Sequence, residues 1–126
     1  MSETVPGTVL VVDDDPNVLE TIIRTLTPFG YQLLQAASGE EALDLAGKCE
    51  EKIDLLLTDV VMPGINGMEL ASKLTSMSPE TRVLFMSGYI CPSKGHLDVP
   101  YSEKAFVQKP FLTNTLIKKM RSLLKS

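Results

Sequence analysis

Residues 9–12 read VLVV, four apolar side chains with no polar residue among them. A strand with one face in water alternates apolar and polar residues, so an unbroken run marks a strand buried on both faces. Strands of that kind belong inside a parallel sheet, which needs helices on each side to connect and cover it.

The remaining pattern supplies them. Asp15 is a good N-cap and Pro16 a good first helical residue, and Val18, Leu19, Ile22, Ile23 and Leu26 repeat at helical spacing until Pro28 and Gly30 stop them. Tyr31–Ala36 reads as a second strand, and Ser38 with Glu41 forms a capping box that opens a helix through Ala42, Leu43, Leu45 and Ala46. Residues 53–58 (IDLLLT) make a third buried strand, followed by the loop DVVMPGING and a helix through Met68, Leu70, Ala71, Leu74 and Met77. Arg82–Met86 is a fourth strand and Ala105–Gln108 a short fifth. The last helix is amphipathic, with Leu116, Ile117, Met120, Leu123 and Leu124 on one side. Its cations Lys118, Lys119, Arg121 and Lys125 gather towards the C-terminal end, where the helix dipole favours them. Between the fourth and fifth strands, GYICPSKGHLDVPYSEKA holds Pro92, Gly95 and Pro100. Any helix there is confined to about two turns near Ser93–Asp98, or is absent.

At 126 residues the chain is expected to be a single domain, residues 1–126 with a core over 8–125, and it contains no repeat and no linker. Its formal charge of −4 provides no basic field for a polyanion, so direct nucleic-acid binding is not expected. No apolar run reaches the length of a membrane span and the N-terminus does not read as a signal peptide, so the expectation is no membrane and a cytoplasmic location. Cys49 and Cys91 are far apart with no metal-ligand spacing, consistent with reduced thiols. His96 is a lone histidine in the irregular segment, a solvated residue rather than a functional one.

Ligands of an open parallel sheet bind beyond the carboxyl ends of its strands. Those ends hold Asp13, Asp14 and Asp15, then Asp59, then Ser87, then Lys109. Asp15 is explained as a helix cap, whereas Asp13 and Asp14 have no such structural duty. Adjacent carboxylates repel by roughly 1–4 kcal/mol per pair at contact distance, and magnesium, bound by one or two carboxylates together with phosphate oxygens, would offset this. Asp59 has the chemistry of a nucleophile toward phosphorus. A phosphoryl group needs a hydroxyl donor and a compact cation, which Ser87 and Lys109 provide.

The motifs VLVVDDD, LLLTDVVMPGINGMEL, VLFMSGY and FVQKPF, in this order and spacing, make the chain resemble the receiver domain of two-component response regulators over residues 8–125. The MSGY form is similar to that of receivers attached to hybrid sensor histidine kinases. The resemblance implies a flavodoxin-like (βα)5 doubly wound sheet of five parallel strands in the order 2-1-3-4-5, with a short or irregular fourth helix. It implies Asp59 as phosphoacceptor, and Asp13, Asp14, Asp59 and the backbone carbonyl of Val61 as ligands of Mg2+, Asp14 being the more direct of the acidic pair. Ser87 and Lys109 would hold the phosphoryl oxygens, and Lys109-Pro110 would be a cis peptide. Tyr89 would partly shield the phosphoryl group.

The resemblance further implies a histidine kinase or a histidine phosphotransfer protein as phosphodonor, and a downstream protein target on the face made by the fourth helix, the fifth strand and the fifth helix. Switching would involve Ser87 and Phe106. Where many relatives have Tyr, Phe106 can switch by packing alone, and a permanently buried core Phe is an equal reading. No conventional turnover enzyme is expected, only a protein that catalyses its own phosphorylation and dephosphorylation.

Two other classes compete with this reading. A magnesium-dependent phosphatase of the haloacid dehalogenase kind also forms an aspartyl phosphate, but its DxDx(T/V) motif after the first strand is broken here by DDDPN. A phosphorylation-independent, receiver-like binding module would be expected to lack acidic or lysine positions, and none is missing.

Overall fold

The computed structural model describes residues 7–49, 52–87, 105–109 and 111–125. Its elements are β1 (Thr8–Val12), α1 (Pro16–Leu26), β2 (Gln32–Ala36), α2 (Gly39–Lys48), β3 (Leu55–Asp59), α3 (Gly67–Met77), β4 (Arg82–Ser87), β5 (Phe106–Gln108) and α4 (Thr113–Lys125). The strands form one sheet in the order β2-β1-β3-β4-β5, and neighbouring strands pair in parallel. This is the flavodoxin-like arrangement implied by the sequence. The expected short helix near Ser93–Asp98 lies outside the described residues, as do Tyr89, Cys91, His96 and Pro110, so α4 here is the C-terminal helix.

Residue alternation along each strand builds two separate cores. On one face Leu10, Val12, Leu56, Val83, Phe85 and Phe106 meet Ala42 of α2 and Leu70, Ala71 and Leu74 of α3. On the other, Val9, Val11, Leu55, Leu57, Leu84 and Val107 meet Leu19, Ile22 and Leu26 of α1 and Leu116, Ile117 and Met120 of α4. Both faces are therefore dry, as VLVV requires.

Local chemistry sets where the elements begin and end. The Asp15 side chain accepts the Asn17 amide at 2.9 Å and caps α1, with Pro16 as first helical residue. Helix α1 ends at Leu26, just before Pro28, as expected. Proline is tolerated in a first turn, and here it sits in a 3-10 turn over Thr27–Phe29 that Gly30 closes at φ 87°. The Ser38 hydroxyl accepts the Glu41 amide at 3.1 Å as expected, but the Glu41 carboxylate reaches the Ala37 amide at 2.8 Å, one residue before the cap. The complete capping box lies at Asn66 and Glu69 of α3, where the expectation had none. Met77 is the last residue of α3 and is exposed. Strand β3 runs from Leu55 to Asp59 rather than from Ile53 to Thr58, because Asp59 still pairs in register with Met86.

The packing makes a direct test available. Leu57 is fully buried between α1 and α4, so Leu57→Ala should cost about 2–5 kcal/mol in urea unfolding. The exposed Met77→Ala should stay within about 0.5 kcal/mol of the parent.

Candidate functional site

Sheet register decides which strand-end residues meet. Val12 of β1 lies opposite Thr58 of β3, so Asp13 and Asp59 emerge level with each other. Asp59 pairs with Met86, and Ser87 pairs with Gln108, which sends Ser87 and then Lys109 out at the same edge. Asp13, Asp14, Asp59 and Lys109 are brought together in space. Ser87 is placed at this edge by its backbone pairing.

The side chains of Asp13, Asp59 and Lys109 interlock. The Lys109 ammonium donates to Asp13 Oδ2 at 2.9 Å and to Asp59 Oδ2 at 3.1 Å. Asp13 is only 1% exposed and Asp59 15%. The second Asp13 oxygen, Oδ1, accepts the Asp15 amide at 2.9 Å, and the Asp13 amide donates to the Ala36 carbonyl at 3.3 Å. Asp13 thus does have a structural duty that the sequence did not reveal: it holds the turn whose next residues cap α1. Asp14 is exposed.

Carboxylate oxygens of Asp13, Asp14 and Asp59 all lie within 4.8 Å of one another. One ammonium faces these three acids, leaving a local excess of negative charge in a half-buried recess. Clustered hard oxygen donors of this kind fit magnesium, which prefers a small number of carboxylates and retains waters.

Next to Asp59 the backbone is closely fixed. The Thr58 hydroxyl donates to the Asp59 carbonyl at 3.0 Å, the Val60 amide to the Met86 carbonyl at 3.1 Å, and the Gly67 amide to the Val60 carbonyl at 2.8 Å. A methyl group on Gly67 would overlap the Asp59 carbonyl oxygen, so this close approach requires glycine. Val60 and Met62 are buried on either side of Val61, which is 63% exposed. Sequence reading missed the supporting roles of Thr58, Asn66 and Gly67. Their signals were present, however: a hydroxyl at the end of an apolar strand, and NGME with Glu three residues after Asn.

Phe106 is buried, and its ring lies 5.1 Å from that of Phe85 at 30°. On the opposite side of the sheet, a mostly apolar groove of about 600 Å³ opens beside Lys109, lined by Val18, Thr21, Ile22, Thr25 and Phe111 among others. No helix among the described residues is long and apolar enough to cross a membrane.

Burial acts to lower the Lys109 pKa, but hydrogen bonds and charge from Asp13 and Asp59 outweigh it and raise the value above the ordinary 10.5. A raised lysine stabilises the fold below its unfolded pKa, and that contribution disappears as pH rises through the folded one. Lys109→Met should therefore be less stable than the parent at neutral pH, with the gap closing above pH 10.5 in metal-free urea titrations. Tyr31, raised chiefly by burial, adds a loss of the same sign at high pH to both proteins, so the gap isolates Lys109.

The response regulator receiver domain model matches residues 9–121. The response regulator MprA of Mycolicibacterium vanbaalenii is 32% identical over 120 residues, covering 95% of this chain and 51% of that protein. Sensor kinase CckA of Brucella abortus is 33% identical over 119 residues, covering 94% of this chain and 12% of that protein. The chain thus spans about half, or far less, of these curated relatives. Among solved structures, the receiver domain of the hybrid histidine kinase CckA superposes with a TM-score of 0.78 at 36% identity, covering 94% of this chain and 99% of that one. The matched residues include both cores and every strand end of the acidic recess, and the chain belongs to the receiver domains of two-component response regulators.

Proposed function

We propose that this receiver is a phosphoacceptor switch in a phosphorelay, taking a phosphoryl group onto Asp59 from a phosphohistidine of a histidine kinase or a histidine phosphotransfer protein. The observation that carries this reading is the Lys109 ammonium held between Asp13 and Asp59 beside a third carboxylate. A recess whose carboxylates outnumber its ammonium suits a divalent ion, which together with Lys109 would offset the charge of a phosphoryl group.

Asp13, Asp14, Asp59 and the backbone carbonyl of Val61 would hold magnesium, which when bound neutralises charge on the phosphoryl oxygens. A carboxylate oxygen of Asp59 attacks phosphorus in line. The P–N bond breaks with its electron pair going to the donor imidazole, which leaves neutral with its proton on the other nitrogen. The Lys109 ammonium would shift a hydrogen bond to a phosphoryl oxygen and the Ser87 hydroxyl would donate to another, so the protein contributes positioning and electrostatics. Water later cleaves the acyl phosphate, returning the Asp59 carboxylate and inorganic phosphate. Its approach passes the exposed side chain of Val61.

The donor protein would dock over the α1 groove, whose wall includes Lys109. Output would use the face formed by the segment before β5, β5 itself and α4. Phe106 would transmit the change by repacking against Phe85, since its ring has no hydroxyl to exchange partners.

Intact mass after incubation with magnesium and a small acyl phosphate tests the chemistry. One phosphate adduct should form, and it should be absent in Asp59→Asn and without magnesium. Lys109→Met should slow its formation by about 10²-fold or more. A folded protein that binds magnesium yet gains no phosphate from either the small donor or a phosphohistidine protein would favour a phosphorylation-independent binding module.

A further inference from the structure

The junction between β2 and α2 touches both halves of the acidic recess, through Ala36 at the end of the strand and Gly39 at the start of the helix. On one side the Ala36 carbonyl accepts the Asp13 amide at 3.3 Å, and the next residues are locked into a closed unit. The Ala37 amide donates to Glu41 at 2.8 Å, and the Glu41 amide donates to the Ser38 hydroxyl at 3.1 Å. On the other side, Gly39 lies so close to Ile65 that a methyl group there would overlap Ile65 Cγ1 and come within 2.7 Å of Cδ1. The Glu40 carboxylate covers Gly64 in the same way, 2.8 Å from where a β-carbon would stand. Gly64 and Ile65 belong to the loop that carries Val61 and returns through Gly67 to the Asp59 carbonyl. That loop is therefore wedged between α2 and the end of β3.

We propose that the first turn of α2 is a positioning element for the metal site: through the Gly39–Ile65 contact it sets where the loop holds the Val61 carbonyl and Asp59 relative to Asp13. This rests on the reading that those groups bind magnesium. Asp13 and Asp59 lie at the ends of different strands, and the β2–α2 junction that receives the Asp13 amide at Ala36 continues within three residues into Gly39, which braces the loop after Asp59. Outer-shell supports of metal ligands are typically worth about 10–100-fold in affinity.

Amide NMR on the full chain, without metal and through a magnesium titration, tests the assignment. Gly39→Ala should displace the Asp59–Asn66 signals in the metal-free protein and weaken magnesium binding by about tenfold. Adding Ile65→Ala removes Cγ1 and Cδ1, the two nearest of the atoms that the new methyl meets, leaving the Ile65 carbonyl oxygen at 3.3 Å, and should recover most of that loss. Gly47→Ala lies on the same helix with nothing within 4 Å of the new carbon, and should leave the Asp59–Asn66 signals and the affinity unchanged.

The proposal is overturned if Gly39→Ala disturbs only α2 while affinity stays within about twofold of the parent, or if Ile65→Ala adds to the loss instead of reversing it. If the parent itself shows no magnesium response at Asp13 and Asp59, the metal reading fails. The metal-free loop signals then decide the positioning claim: displacement supports it and confinement to α2 overturns it. Should Gly39→Ala not fold, Ile65→Ala alone decides. Loss of the contact should move the Asp59 signal and weaken magnesium binding severalfold, and an unchanged site would overturn the assignment.

Discussion

A carboxylate as deeply enclosed as that of Asp13 needs a cation, and it finds one in Lys109, 96 residues away in sequence. Removing one member of a buried pair leaves a charge without solvent or partner, which typically costs about 3–5 kcal/mol. The sheet is organised so that this pair can form. Strands buried on both faces carry no charge in their interior, so charged groups collect at the strand ends. The register of β1, β3, β4 and β5 then decides which of them stand side by side. The short β5 matters beyond its three residues, because it delivers the lysine.

The same pair shows why a site like this tolerates its own charge imbalance. Lys109 satisfies one oxygen of Asp13 and one of Asp59, while the Asp15 amide satisfies the other oxygen of Asp13. Asp14, at the exposed rim, can be hydrated. The carboxylates nevertheless remain close enough to share a metal.

Much of this was legible because periodicity is a strong signal. VLVV, IDLLLT and the heptad-like stripe of Leu116, Ile117 and Met120 gave the strands, the last helix and the two-sided core, and the strand-end rule gave Asp13, Asp59, Ser87 and Lys109. What escaped was short-range geometry. Residue type shows that Asp13 can accept a hydrogen bond, but not that the Asp15 amide turns back to donate one. Pro28 and Gly30 marked the end of α1, but not the 3-10 turn over Thr27–Phe29 that joins them. Gly67 and Gly39 look alike in sequence to Gly47, and only the first two lie against neighbouring atoms. Ser38 and Glu41 pointed to a reciprocal cap, but the longer Glu side chain reached past it to Ala37.

The span between Asp13 and Lys109 also has a consequence during synthesis. At about 5–20 residues per second, a ribosome takes roughly 5–20 s to add the residues that separate them. Throughout that interval the emerging chain has the N-terminal acids but not the lysine that joins them to Asp59. A half-made receiver therefore has no complete acidic recess, and its chemistry becomes available only once the edge strand has docked. Assembly of the recess is in this way tied to completion of the fold.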